Sequence, residues 1–152
     1  MEILLGKIKD TLVSAQATTL SYVTNIEIVA PFLPVIDLGQ MPFIGIAPIS
    51  SPETWVTTGK KEVIHTVEIY AVIQYKQQGY SVIGYGDKKG ITDLAADITT
   101  VLRNRRFDDY LSKPTDIEIS EYVTTPYDDN AFLLVANLKL ECAKLFISTE
   151  QN

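Results

Sequence analysis

The stretch Lys61-Glu62-Val63-Ile64-His65-Thr66-Val67-Glu68-Ile69-Tyr70-Ala71-Val72-Ile73-Gln74-Tyr75 has a period of two. Its odd positions run Val63, His65, Val67, Ile69, Ala71, Ile73 and Tyr75, while its even positions mix Glu62, Thr66, Glu68 and Gln74 with Ile64, Tyr70 and Val72. Alternation of this kind belongs to an extended strand, whose successive side chains point to opposite faces of a sheet. The odd face is expected to build the core against helices and the even face to meet water. Because the even face carries Ile64, Tyr70 and Val72 between its carboxylates, it also offers a surface on which another protein can dock.

A second stretch has the same character. From Phe132 to Phe146 the even positions Leu134, Ala136, Leu138, Leu140 and Cys142 are apolar, opposite Asn137, Lys139 and Glu141. Between the two long strands lies a helical pattern in which Ile91, Leu94, Ala95, Ile98, Val101 and Leu102 share one face. Asp93 lies near its positive amino end, and Arg103, Arg105 and Arg106 lie near its negative carboxyl end. An opening amphipathic helix is predicted from Glu2 to about Leu20, on the spacing of Leu5, Ile8, Leu12, Ala15 and Thr19. Ile117 to Val123 alternates as a strand, and Pro126-Tyr127-Asp128-Asp129-Asn130 is turn chemistry.

The remaining segments are assigned by punctuation. Asn25 to Val29 alternates briefly, and Pro31 and Pro34 after it suit edges and turns. Met41 to Pro48 reads as a short strand, Ser50 to Lys60 as a loop containing Trp55, and Tyr80 to Ile83 as a few extended residues before the turn Gly84-Tyr85-Gly86-Asp87. Helix, strands, helix, strands, with turns joining the strands, predicts an α+β fold: an antiparallel or mixed sheet with two long strands, carrying two helices on one face.

At 152 residues, 46% of them hydrophobic, the chain suits one domain with a core that needs neither metal nor disulfide. A net charge of -6 opposes tight nucleic-acid binding, which needs clustered Lys and Arg, but lets a passing nucleic acid slide without sticking. The single cysteine, Cys142, excludes an internal disulfide and gives no sign of an oxidising compartment. The most apolar stretch, Ile26 to Ile36, is broken by Glu27, Pro31 and Pro34, so no membrane span is expected. Glu2, Lys7 and Lys9 around Ile3-Leu4-Leu5 argue against a signal peptide.

Enzymatic signatures are weak. Gly84 to Gly90 places three glycines between an extended run and a helix, but their spacing is not a dinucleotide fingerprint, and Ile91-Thr92 follows Gly90 where a Walker loop needs Lys-Ser or Lys-Thr. His65 and Cys142, each the sole residue of its kind, fit packed core positions better than a metal cage or a nucleophile-base pair. Asp108-Asp109 and Asp128-Asp129-Asn130 lack calcium-loop spacing, and no Gly-x-Ser-x-Gly elbow occurs. No cofactor and no catalytic residue is expected. The arginines Arg103, Arg105 and Arg106 either serve the helix dipole or reach Asp108, Asp109, Asp128 and Asp129 of a neighbouring copy through forked guanidinium-carboxylate bonds.

Taken together, several features resemble the tail terminator, or tail completion, proteins of long-tailed bacteriophages. They are the opening helix, the Pro42-Phe43-Ile44-Gly45-Ile46 strand, Trp55 in its polar segment, Lys61 to Glu68 leading a long strand, the Gly90-Ile91-Thr92-Asp93-Leu94-Ala95-Ala96-Asp97-Ile98 helix start, and the closing long strand. The likeness covers nearly the whole chain. It implies a virion protein, assembled in the host cytoplasm, that forms a hexameric ring at the head-proximal end of the tail tube. Such a ring ends tube polymerisation and meets the neck or head-completion protein, and the sheath in contractile tails, while DNA passes through its channel. The contact positions this suggests are Glu62, Ile64, Glu68, Tyr70 and Val72 on the first long strand, Asn137, Lys139 and Glu141 on the last, and the corner Arg103, Arg105, Arg106, Asp108 and Asp109. Alternatives are another neck or head-completion ring protein, a small domain binding an anionic ligand at Gly84 to Gly90, and an interaction module outside any virus.

Overall fold

The computed structural model describes residues 2–29, 42–50, 53–57, 59–75, 89–107, 110–123 and 132–147. In chain order its elements are α1 (Glu2–Ala15), β1 (Asn25–Ile28), β2 (Phe43–Ser50), β3 (Glu53–Thr57), β4 (Lys60–Tyr75), α2 (Ile91–Leu102), β5 (Arg106–Phe107), β6 (Tyr110–Val123) and β7 (Phe132–Ile147). They form one mixed sheet in the order β1-β2-β4-β7-β6-β5, with β3 also paired to β4, and both helices pack on one face. The fold is α+β, as the alternation of elements predicts.

The two long strands are its axis. β4 and β7 pair antiparallel from Lys60 opposite Ile147 to Tyr75 opposite Phe132, without a register shift. The odd residues of β4 therefore share a face with the even residues of β7. On that face Val67, Ile69, Ala71, Leu138, Leu140 and Cys142 are buried with Ile44 and Ile46 of β2 under Leu5, Ile8 and Leu12 of α1 and Leu94, Ile98 and Leu102 of α2. Each large aliphatic side chain removed from water there contributes about 1.5–3 kcal/mol. All six residues predicted for the inner face of α2 are buried. The Gly90 N–H donates to the Asp93 carboxylate (3.0 Å) at the start of α2, and the Arg105 Nε donates to the Val101 carbonyl (2.9 Å) at its end.

Several boundaries differ from the sequence reading. α1 ends at Ala15, and turns follow to Tyr22; Thr19 is exposed while Leu20 is buried, because the Leu20 N–H folds back onto the Ala15 carbonyl (2.9 Å). β1 pairs parallel to β2, which makes the sheet mixed, and β2 runs from Phe43 to Ser50. The segment read as a loop after Ser50 contains β3, in which Trp55 stands opposite Lys61. Thr54, Trp55, Val56 and Thr57 are strand formers, and Gly59, at φ 89°, turns the chain back into β4. β6 begins at Tyr110, well before Ile117, and passes through Pro114. Thr115 and Asp116 both fall across from Lys139, so a bulge switches which residues of β6 face the helices.

The helix-free face is also less open than expected. Tyr70 and Val72 are buried there, in a second cluster with Phe43, Ala47 and Val135, against which Val29 packs. Gly45 permits this: a Cβ at that position would meet the Phe43 ring and Val29 Cγ2, each at 3.1 Å.

Candidate assembly surface

The antiparallel registers arrange the helix-free face as rows running across the strands. Arg106, Leu111, Ala143 and Ile64 form one row, through β5, β6, β7 and β4. Lys113, Glu141 and Thr66 form the next. Beyond the bulge, Lys139, Glu68 and Ala47 are aligned, then Glu118, Asn137, Tyr70 and Gly45, and finally Ser120, Val135, Val72 and Phe43. Opposite charges are thus cross-strand neighbours twice, Lys113 with Glu141 and Lys139 with Glu68, a pairing that favours the sheet by about 0.2–1 kcal/mol each. Tyr70 adds an internal tie, its hydroxyl donating to Glu68 Oε2 at 2.9 Å.

This face therefore has an apolar end at Leu111, Ala143 and Ile64, a central charged band, and a closed apolar end around Phe43 and Val72. Leu111 remains 45% exposed. Asn137 is half-buried at the centre, and its Oδ1 is buried with no hydrogen-bond partner. An unmet buried acceptor costs about 1–3 kcal/mol until a donor reaches it.

The structure brings together the positions proposed on the two long strands: Glu62, Ile64, Glu68, Tyr70 and Val72 of β4 lie on the same face as Asn137, Lys139 and Glu141 of β7. Glu62, Ile64, Glu68 and Glu141 are half-buried and Lys139 is exposed, whereas Tyr70 and Val72 are filled into the second cluster. Of the arginines, Arg106 extends the row through Leu111, while Arg103 and Arg105 stand exposed at the corner leaving α2. Asp108, Asp109, Asp128 and Asp129 lie outside the described residues, as do Tyr80 to Ile83 and the turn from Gly84 to Lys88. The sequence reading does not find Leu111 and Lys113 because Pro114 and the bulge disguise the start of β6, and it does not place Glu118, within the predicted Ile117 to Val123 strand, beside Asn137 because only the pairing register does so.

The arginine corner is held by Ser112. This fully buried serine donates its hydroxyl to the Leu102 carbonyl (2.5 Å), accepts the Arg105 N–H (3.1 Å), and donates its own N–H to the Arg105 carbonyl (2.9 Å). Asn104, at φ 55°, makes the left-handed step out of α2 that Asn tolerates well. On the opposite side of α2, Tyr22 donates to Asp97 Oδ2 (2.5 Å), with Lys89 Nζ at 3.9 Å from the same oxygen.

His65 and Cys142 are cross-strand neighbours on the inner face. Burial lowers the His65 pKa below its usual 6.5, and its Nε2 lies 3.2 Å from the Tyr110 hydroxyl. Burial pushes the Cys142 thiol up to about 12, so almost none of it is thiolate at neutral pH. The pair forms a packed polar layer in which no nucleophile is activated. Among the described residues no group of three His, Cys, Asp or Glu is placed to hold a metal ion, and no helix is long and apolar enough to cross a membrane. A polar groove of about 480 Å³ opens between the ends of the two helices, lined by Asp10, Thr11, Ser14, Thr100 and Arg105 among others.

No protein-family model matches this sequence, and no curated protein sequence matches it. Among solved structures the chain is similar to a chain of the virion of a native gene transfer agent (GTA) particle, with a TM-score of 0.56 and 11% identity over 92% of this chain and 94% of that one. At that identity the likeness is one of fold.

Proposed function

We propose that this chain is a structural, non-enzymatic subunit of a phage or phage-like virion. In this reading it forms a hexameric ring at the head-proximal end of the tail tube, ends tube polymerisation and joins the tail to the neck. The observation that carries the proposal is the fold shared with a GTA virion chain over nearly the full length of both chains. The order and spacing of the elements, which resemble tail terminators, support it from the sequence.

The geometry supplies a mechanism for docking without chemistry. The helix-free face is stiffened from behind by the core, and in its central band Lys113 faces Glu141 and Lys139 faces Glu68, so a tube or neck protein covering that band buries charges that already have opposite neighbours. Leu111 and Ile64 provide the apolar contact, the Lys113–Glu141 and Lys139–Glu68 pairs the central band, and Arg106 and Glu118, on the strands at the sheet's β5–β6 side, the polar rim. The partners are further copies of this chain, the tube protein, the neck or head-completion protein and, in a contractile tail, the sheath. DNA passes through the channel, and the net charge of -6 disfavours its retention.

A tube-capping assay tests the proposal. Tail-tube subunits polymerising in the presence of this chain should give shorter tubes with added density at one end only. Tubes of unchanged length with bare ends would overturn it.

A further inference from the structure

Arg103, Arg105 and Arg106 are the only arginines in a chain of net charge -6, and all three are exposed. The end of α2 uses Arg105, whose Nε takes the Val101 carbonyl within the turn where a helix dipole acts. Arg106 lies beyond that turn, on β5, so the helix end does not explain it. Strand alternation sorts this corner into two layers. Phe107 and Ser112 are buried on the inner face, with Ser112 tied to Leu102 and Arg105, while Arg106, Leu111 and Lys113 are exposed on the helix-free face. Arg106 stands directly across from Leu111, and Lys113 is the next residue along the same face of β6. A leucine that is 45% exposed is thus framed by two cations on a backbone anchored from behind. The carboxylates of this end, Glu62 and Glu141, are half-buried on the long strands, and exposed Glu118 lies beyond the bulge.

From this arrangement we infer that the partner surface docking on the β5–β6 end of the helix-free face is acidic: an apolar side chain flanked by carboxylates, seated on Leu111 between Arg106 and Lys113. The inference rests on the docking reading above and adds the chemistry of the partner. The occupant is a tube or neck subunit, because this end is continuous with the face on which that reading docks them. Charge complementarity gives the sign, since the exposed charges beside Leu111 are both positive. Arg106 is the stronger anchor. Lys113 already has Glu141 across the strands, whereas the row of Arg106, Leu111, Ala143 and Ile64 contains no carboxylate. A guanidinium makes forked bonds to a carboxylate. A protein fits better than a nucleic acid, because an exposed leucine at the centre offers a phosphate backbone nothing, while an apolar centre with a charged rim is the usual anatomy of a protein contact.

Fluorescence anisotropy tests the partner chemistry, using the full chain and a labelled peptide with leucine flanked on both sides by glutamates. The control is the same peptide with lysines in place of the glutamates. The acidic peptide should bind, more weakly as salt rises, and the lysine peptide should not. Affinity should fall roughly tenfold or more in Arg106→Glu and severalfold in Leu111→Ser. Both side chains are exposed, so each variant should keep the parent's unfolding transition. No binding of the acidic peptide at millimolar concentration, or equal binding by Arg106→Glu, would overturn the inference. Duplex DNA that binds in the peptide's place at equal salt would overturn the choice of a protein partner. A change of solution mass in Arg106→Glu by light scattering would assign the patch to a second copy and overturn the choice of a tube or neck subunit. Peptide binding by a chain that leaves tubes uncapped would uphold the acidic chemistry and overturn the tail-tube reading.

Discussion

Glu68 and Lys139 stand directly opposite each other on adjacent antiparallel strands, at the centre of the helix-free face, and Tyr70 donates its hydroxyl to the same Glu68 carboxylate at 2.9 Å. Lys139→Glu would set like charges across the strands and beside Glu141. It should cost about 0.2–1 kcal/mol in urea unfolding, the usual size of a cross-strand charge effect. Binding to a tube or neck partner should fall much further, since the charged band would no longer be balanced. Unchanged partner binding would remove this band from the contact surface.

Arg106 lies in a row with Leu111, Ala143 and Ile64, exposed, on the face proposed to dock. Arg106→Glu should leave the melting temperature nearly unchanged and lower assembly or partner affinity by roughly tenfold or more, as expected for reversing a rim charge. Arg105 is a poorer probe, because it also satisfies the Val101 carbonyl.

Ser112 fastens the corner between α2 and β6 through three hydrogen bonds. Ser112→Ala leaves the Leu102 carbonyl and the Arg105 N–H without their hydroxyl partner. A loss of about 1–3 kcal/mol in chemical denaturation is expected, the cost of orphaning buried polar groups. A neutral result would mean that water replaces the hydroxyl.

The pH dependence has a definite sign at His65. Burial holds its folded pKa below the unfolded value of 6.5, so below that pH the unfolded chain binds more protons than the folded one. Its contribution to stability is whole above pH about 6.5 and is lost as the pH falls through the unfolded and then the folded pKa. Difference curves of melting temperature between the parent and His65→Gln, taken from pH 8 down to pH 5, should isolate this term from the carboxylates. A difference that does not vary with pH would contradict the assignment.

Cys142, fully buried with its thiol pushed up to about 12, should resist thiol reagents in the native state at pH 8 and react stoichiometrically once unfolded. Rapid native labelling would show that the strand opens locally at β7.

The long elements were legible because their periods are. The alternation from Lys61 to Tyr75 and from Phe132 to Phe146 corresponds to β4 and β7, and the helical spacing from Ile91 to Leu102 fixes the buried face of α2 residue by residue. β3 was hidden because Pro52, Gly59 and several hydroxyls look like loop chemistry, although Trp55 and Val56 favour a strand. β6 was half hidden because its bulge breaks the period at Thr115 and Asp116. On the candidate surface, alternation alone places Glu68 and Lys139 on polar faces of their strands. That they are neighbours follows from the pairing register, and the burial of Tyr70 and Val72 follows from Phe43 packing beside them over Gly45. Both are long-range facts that no local period carries.

The most direct test is the solution mass of the purified protein by light scattering, with negative-stain images of the same peak. A hexameric ring of a 16.9 kDa chain predicts a single species of about 100 kDa with a central hole. A 16.9 kDa monomer, both alone and in the presence of tail tubes, would contradict it.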